Sequence, residues 1–325
     1  MTPSVLHDFG FVTACHAGDY ALAKATCASI RHSMPDARIA VVVDGALDTS
    51  ELERLYKTSI LRTEDIEDTR LRQMCRGSTR SKLAAHWLGP FERYCYVDAD
   101  CLVLGDVKSA QDWTAADFWL MTQSEPGKVD EASINEYFIN IGLMRSFDPK
   151  YDPHQWPYFC DGAYVCRRNA IPFELAWDVW QRSKAHPGLF SWTQSQGLTN
   201  YLVFKCFSSD DLTYEIKDMQ FIIPDHTPQE ALRRFGISPH GVRRVSPSIV
   251  HYCGVKPWLH KLRPEHRLFT RFRLMHRHAC RGIAAASAVS WLCILLEESA
   301  CLAGKLKGKY RRCIQHLTTL TVSLK

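Results

Sequence analysis

A chain of 325 residues with 46% apolar content holds one large or two ordinary globular domains around a real core. Its 13 cysteines are scattered without a Cys-x-x-Cys pair, which argues against a disulfide framework and reads as reduced thiols in a cytosolic protein. The net charge of +5 hides an asymmetry, because residues 256–325 carry 14 Lys and Arg against 3 Asp and Glu, while the preceding residues carry 26 against 32. The basic end is a separate electrostatic object, suited to an anionic surface.

The first residues, Met1 to Asp8, have neither a basic nor an apolar signal region, so no secretory signal is visible and the protein is expected to stay inside the cell. Phe9 to Ala14 reads as a strand and Gly18 to His32 as a helix that Pro35 stops. Arg38 to Val43 is a second apolar strand, followed by a helix near Ser50 to Tyr56 and a short strand at Ile60-Leu61. Such alternation implies parallel strands covered on both faces, with ligands beyond the strands' C-terminal ends.

Thr79 to Leu88 is expected as helix, Tyr94 to Leu104 as a strand-like run, and Phe118 to Thr122 as a further strand. Two glycine-containing stretches, Tyr137 to Met144 and Phe159 to Val165, also read as strands. Helices follow at Phe173 to Lys184 and Ser195 to Phe204. At the basic end, Arg267 to Arg281 forms an amphipathic helix, Ile283 to Leu296 is a nearly unbroken apolar run, and Lys305 to Arg312 is a basic cluster. The apolar run is shorter than the roughly 20 residues that span a bilayer. Interfacial helices on an anionic leaflet are the preferred reading for residues 266–325, with a helical cap on the body as the alternative. Long apolar runs without exposed aromatic or Gly/Arg-rich sequence speak against nucleic acid.

Two carboxylates, Asp98 and Asp100, interrupt the apolar run Tyr94 to Leu104. Unpaired charge is too costly to bury there, and a metal would explain it. Residues two apart in an extended chain share a face, so both can converge on one hard cation, with Ala99 too small to obstruct what it holds. A phosphatase of the Asp-nucleophile type is the nearest enzymatic rival, but it normally carries this pair near the chain start and a Thr or Val where Leu102 stands. A second cluster runs from Ile249 to Trp258. There His251 follows an apolar strand end, Gly254 permits close backbone approach, and Lys256 offers a cation for phosphate. Two carboxylates and one imidazole suit Mn²⁺, or Mg²⁺ less well. No phosphate-binding glycine loop or nucleophile elbow is present.

In order along the chain these motifs resemble the family 8 retaining glycosyltransferases, which include glycogenin and the bacterial lipooligosaccharide galactosyltransferases. The resemblance runs from about Phe11 to Trp258. It implies a nucleotide-diphospho-sugar transferase fold of GT-A type, with a mixed sheet, as a catalytic domain over residues 1–265. By the same resemblance Thr13 and Tyr20 hold a uracil base, Lys82 meets the donor phosphates, and Asp98, Asp100 and His251 hold the metal. Cys160, Asp161 and Gly162 line the donor sugar, Gln196 lies at the reaction centre, and Gly254 with Lys256 closes over the diphosphate. Three positions depart from the family pattern. Cys160-Asp161 stands where Asn-Ser or Asn-Ala is usual, implying altered sugar specificity. Ser195 replaces an Asp that contacts the sugar, and Asp161 is the candidate to restore that carboxylate. Only Val255 separates Gly254 from Lys256, where two residues are common. The implied activity is hexose transfer from a UDP-sugar, glucose or galactose, to a glycan, glycolipid or protein acceptor. The alternative is a nucleotide-sugar-binding or membrane-scaffold protein that has lost catalysis.

Overall fold

The computed structural model describes residues 6–303 except 78, 123, 192–194, 210–211, 236, 239–240, 243–245, 255, 260–262 and 283–287. The expected basic cluster at 305–312 therefore lies outside the described residues.

The chain opens as strand and helix in alternation: β1 (His7–His16), α1 (Tyr20–Ser33), β2 (Ile39–Asp44), α2 (Ser50–Tyr56) and β3 (Ser59–Arg62). β1 and β2 run parallel with Phe11 opposite Ile39, and both are apolar on both faces because helices cover them. A helix not foreseen, α3 (Thr69–Cys75), starts where the Asp68 carboxylate accepts from the amides of Arg70 and Leu71. The expected helix at 79–88 begins as a 3-10 turn, Ser81–Ala84, before α4 (Ala85–Leu88).

β4 (Phe91–Val97) and β5 (Cys101–Leu104) are separate strands in separate sheets, not one run through the Asp pair. After β6 (Phe118–Leu120) the stretch expected as a strand at 137–144 is helical: α5 (Glu131–Tyr137) ends and α6 (Ile141–Phe147) begins within it. Side-chain caps override the strand propensity here, since Asp130 accepts from Ser133 N and Asn140 accepts from Leu143 N. In the second glycine-containing stretch only Ala163 onward is strand, as β7 (Ala163–Arg167), which leaves Cys160 to Gly162 in the loop before it. The remaining elements are α7 (Phe173–Ser183), α8 (Ser195–Ser208), β8 (Tyr214–Ile216), β9 (Gln220–Ile222), α9 (Pro228–Phe235), β10 (Ile237–Ser238), β11 (Gly241–Val242), β12 (Ser248–His251), α10 (His266–Arg281) and α11 (288–303).

Seven strands form the main sheet in the order β3-β2-β1-β4-β7-β6-β8, mixed because β7 runs antiparallel to β4 and β6. A second sheet, β5-β12-β9, carries the chain's later motif back to its middle. Alternation along β1 and β4 divides the core between the two faces of the main sheet. Val12, Tyr94 and Tyr96 point to one face, while Phe11, Cys95 and Val97 point to the other.

α10 belongs to the second of these cores through Leu268, Phe269 and Phe272. The Phe272 ring meets His32 of α1 edge-on at 5.8 Å, and Tyr56 OH lies 2.9 Å from His276 Nδ1. The first basic helix is thus packed on the body. Phe272→Ala should lower unfolding stability by about 3–5 kcal/mol in equilibrium denaturation, as expected for emptying a wholly buried aromatic site.

Candidate metal and donor site

The apolar run of β4 ends at Val97, and the next three residues turn. Asp98 N donates to Gly162 O at 2.8 Å, Cys101 N donates back to Asp98 O at 3.0 Å, and Thr26 Oγ1 of α1 stands 2.6 Å from Ala99 O. The two carboxylates therefore converge through a pinned turn, not through an extended chain as the sequence suggested. Ala99 is buried, as a small residue in that turn must be. Antiparallel pairing of β12 with β5 sets His251 opposite Cys101, directly after Asp100. His251 Nε2 lies 3.6 Å from Asp100 Oδ1 and 3.8 Å from Asp98 Oδ2.

Two lysines complete the cluster. Lys82 Nζ sits 2.9 Å from Asp161 Oδ1 and 3.2 Å from Asp98 Oδ1, and Lys256 Nζ sits 2.5 Å from Asp100 Oδ2. Burial alone would push the His251 imidazole down, but Asp100, with Asp98 behind it, raises it to about 9. Burial also opposes the charge on Asp100, yet Lys256 and His251 hold that carboxyl well below the usual range. Lys82 is likewise buried and is kept ionised by Asp161 and Asp98. For Asp161 burial prevails over Lys82 and raises the carboxyl.

Three buried oxygens in this region have no hydrogen-bond partner: Asp100 Oδ1, Asp161 Oδ2 and Thr13 Oγ1. An unpaired buried acceptor is costly, so such atoms mark where a ligand is expected. Asp100 Oδ1 faces His251 Nε2, and with Asp98 these atoms form the hard, oxygen-rich donor set that a divalent cation accepts. Carboxylate oxygens beside an imidazole suit a hard divalent cation.

The supporting shell explains the glycines and reveals residues that sequence reasoning missed. A Cβ at Gly162 would lie 2.1 Å from His251 Cε1, so the imidazole occupies space that only glycine leaves open. Gly254, at φ +67°, takes the left-handed turn before Lys256. Tyr96 OH donates to Asp98 Oδ1 at 2.7 Å. Gln220 of β9 accepts from His251 Nδ1 at 2.9 Å and donates to the carbonyls of Met121 and Cys160 at 3.0 and 3.2 Å. That bond leaves Nε2 to face the carboxylates, the usual role of a residue behind a metal-binding histidine. An amide within the apolar stretch Met219 to Ile223 was the available signal. Cys253 is drawn down to about 7 by the hydrogen bond from Cys160, against the effect of burial.

Thr13 is buried on β1, and Tyr20 opens α1 with its hydroxyl donating to Asp48 O at 2.7 Å. Ser195 and Gln196 open α8, and Gln196 Nε2 donates to Tyr137 O at 2.9 Å, not to the charged cluster. Asn200, one turn on, ties α8 to the loop before β7 by bonding both Phe159 N and Phe159 O.

No protein-family model matches the chain, and no curated protein matches it significantly. Solved structures do match. The galactosyltransferase LgtC, in complex with donor and acceptor sugar analogues, aligns with a TM-score of 0.51 at 14% identity over 81% of this chain and 95% of its own. The apo structure of the bifunctional glycosyltransferase WbbM aligns with a TM-score of 0.56 at 14% identity over 84% of this chain, which spans 50% of WbbM. The chain thus has the GT-A-like mixed α/β fold of these glycosyltransferases.

Gly162→Ala is expected to displace the His251 ring and weaken Mn²⁺ binding at least about tenfold, measured by paramagnetic resonance of free Mn²⁺.

Proposed function

We propose that the protein is a retaining glycosyltransferase that moves a hexose, glucose or galactose, from a UDP-sugar to a glycan, glycolipid or protein acceptor. The observation that carries this reading is the meeting of Asp98, Asp100 and His251, with an unpartnered Asp100 oxygen between them and a lysine on each side. These three residues would hold Mn²⁺, with Mg²⁺ the poorer fit. A bound Mn²⁺ supplies a Lewis acid that neutralises charge on the departing diphosphate.

The chain's own groups do the rest. Lys82, locked between Asp98 and Asp161, is a preorganised cation that need not be ordered as the reaction proceeds. Lys256, behind the Gly254 turn, supplies a second positive charge for the donor phosphates. Thr13 offers its unpartnered hydroxyl, and Tyr20 its ring, to the base. Cys160, Asp161 and Gly162 form the sugar-side wall. The free Asp161 oxygen supports the idea that this carboxylate replaces the one lost at Ser195, and Gln196 is assigned to the anomeric centre by family resemblance.

Residues 1–265 are the proposed catalytic domain; of 266–325, α10 packs on the body and the part after it is the segment proposed to meet the membrane. Among the described residues no helix is long and apolar enough to cross a bilayer. α11 nevertheless turns Val289, Leu292, Leu295, Leu296 and Leu302 outward, at 41–60% exposure. Beside it Arg263, Arg267 and Arg271 line a cavity of about 650 Å³ with Trp291. Apolar side chains flanked by arginines support peripheral attachment to an anionic cytoplasmic leaflet.

Asp98→Asn should reduce Mn²⁺-dependent UDP release from UDP-hexoses by at least about 100-fold, and unchanged turnover would sink the assignment. Leu292→Glu with Leu296→Glu should weaken sedimentation with phosphatidylserine-containing vesicles by at least about tenfold and leave binding to neutral vesicles equally low.

A further inference from the structure

On the far side of the His251 ring lies a second, chemically different donor set. Cys160 Sγ is 3.5 Å from His251 Nδ1, and Cys160 Sγ, Cys253 Sγ and a ring nitrogen all lie within 4.8 Å of one another. In a tetrahedral zinc site, with Zn–S about 2.3 Å and Zn–N about 2.0–2.1 Å, sulfur and nitrogen ligands stand about 3.5 Å apart. The observed separation already has that value. Gln220 Oε1, 2.9 Å from Nδ1, is an oxygen placed to serve as a fourth ligand. Cys160 and Cys253 are half-buried residues.

The other thiol group away from the site is less apt. Cys280 lies with Glu51 and His276, but the Lys24 ammonium sits 2.7 Å from Glu51 and occupies that carboxylate with a charge of its own. Among the described residues no Lys or Arg is ion-paired with Cys160 or Cys253 in the same way. Soft thiolate and imidazole donors select zinc-like ions, whereas Asp98 and Asp100 select hard ones.

We propose that Cys160, Cys253 and His251 Nδ1 form a thiophilic metal site for Zn²⁺, back to back with the hard site and sharing its histidine. Binding releases the thiol protons and the Nδ1 proton to solvent, with no redox step. An ion there removes the Nδ1 to Gln220 hydrogen bond that orients His251, and it adds positive charge beside the carboxylate cluster. The site is therefore inhibitory for the neighbouring metal. This consequence rests on His251 being a ligand of the hard site, as put forward above.

The test uses the full chain, cleared of metal by a chelator and titrated with Co²⁺ as a spectroscopic stand-in for Zn²⁺. A near-ultraviolet thiolate-to-cobalt charge-transfer band should saturate at one equivalent in the wild type and persist in Cys280→Ser. It should be lost in Cys160→Ser and in Cys253→Ser, with folding of each variant checked by circular dichroism. Zn²⁺ should displace the Co²⁺ and weaken Mn²⁺ binding, followed by paramagnetic resonance, by about tenfold or more. No band, or a band undiminished in both serine variants at positions 160 and 253, overturns the site. A cysteine-dependent band with Mn²⁺ binding insensitive to Zn²⁺ overturns the shared histidine. Cysteine-dependent cobalt binding in a protein that binds no Mn²⁺ supports the thiophilic site and counts against the hard-metal reading instead.

Discussion

The structure depends on a buried balance of charge. Asp98, Asp100 and Asp161 face Lys82, Lys256 and His251 in a space where each group alone would be too costly to desolvate. Against the effect of burial, Asp100 and Asp98 together raise His251. A divalent cation would enter that cluster by replacing positive charge already there, so the chain holds its carboxylates in position before any metal arrives. Preorganisation of this kind separates a site from a cluster of acids.

The balance requires two distant parts of the chain to meet in fixed register. β5 leaves the Asp turn and pairs with β12, so that Cys101 faces His251, and β9 lies parallel to β12 with Gln220 opposite Ile249. A slip of one residue would turn His251 to the opposite face and remove it from both carboxylates. The small sheet is therefore the device that unites the middle and late motifs. Gly162 completes it by leaving room for the ring.

Much of this was legible in the sequence because it rests on local signals. The alternation from β1 to β3 follows apolar periodicity, and the Asp pair is conspicuous inside an apolar run. His251 and Lys256 stood out in the Ile249 to Trp258 cluster, Lys82 was named through family resemblance, and the three lie together. What the sequence concealed depends on context. The stretch from Tyr137 to Met144 has strand-forming residues, but the Asp130 and Asn140 side chains cap helices there, and capping outweighs a propensity difference of a few tenths of a kcal/mol. The Asp pair converges by a turn because Asp98 N donates to Gly162 O and Thr26 Oγ1 donates to Ala99 O, and both partners are remote in sequence. Gln220 gained its place beside His251 only when β9 and β12 were paired, since its one signal was a lone amide in an apolar stretch.

The contacts of α1 carry one more consequence. On one side its Thr26, Ser29 and Ser33 are stitched to the backbone of the Asp turn and β5, with Ser29 Oγ accepting from Val103 N at 2.9 Å and Ser33 Oγ donating to Val103 O at 2.9 Å. On the other, α10 packs along it, and Lys24 reaches Glu51 and Glu297. A single helix is thus a strut between the basic end of the chain and the turn that bears Asp98 and Asp100. The C-terminal helices are mechanically part of the site, and a protein shorn of them would lose the backing that keeps Asp98 and Asp100 in place.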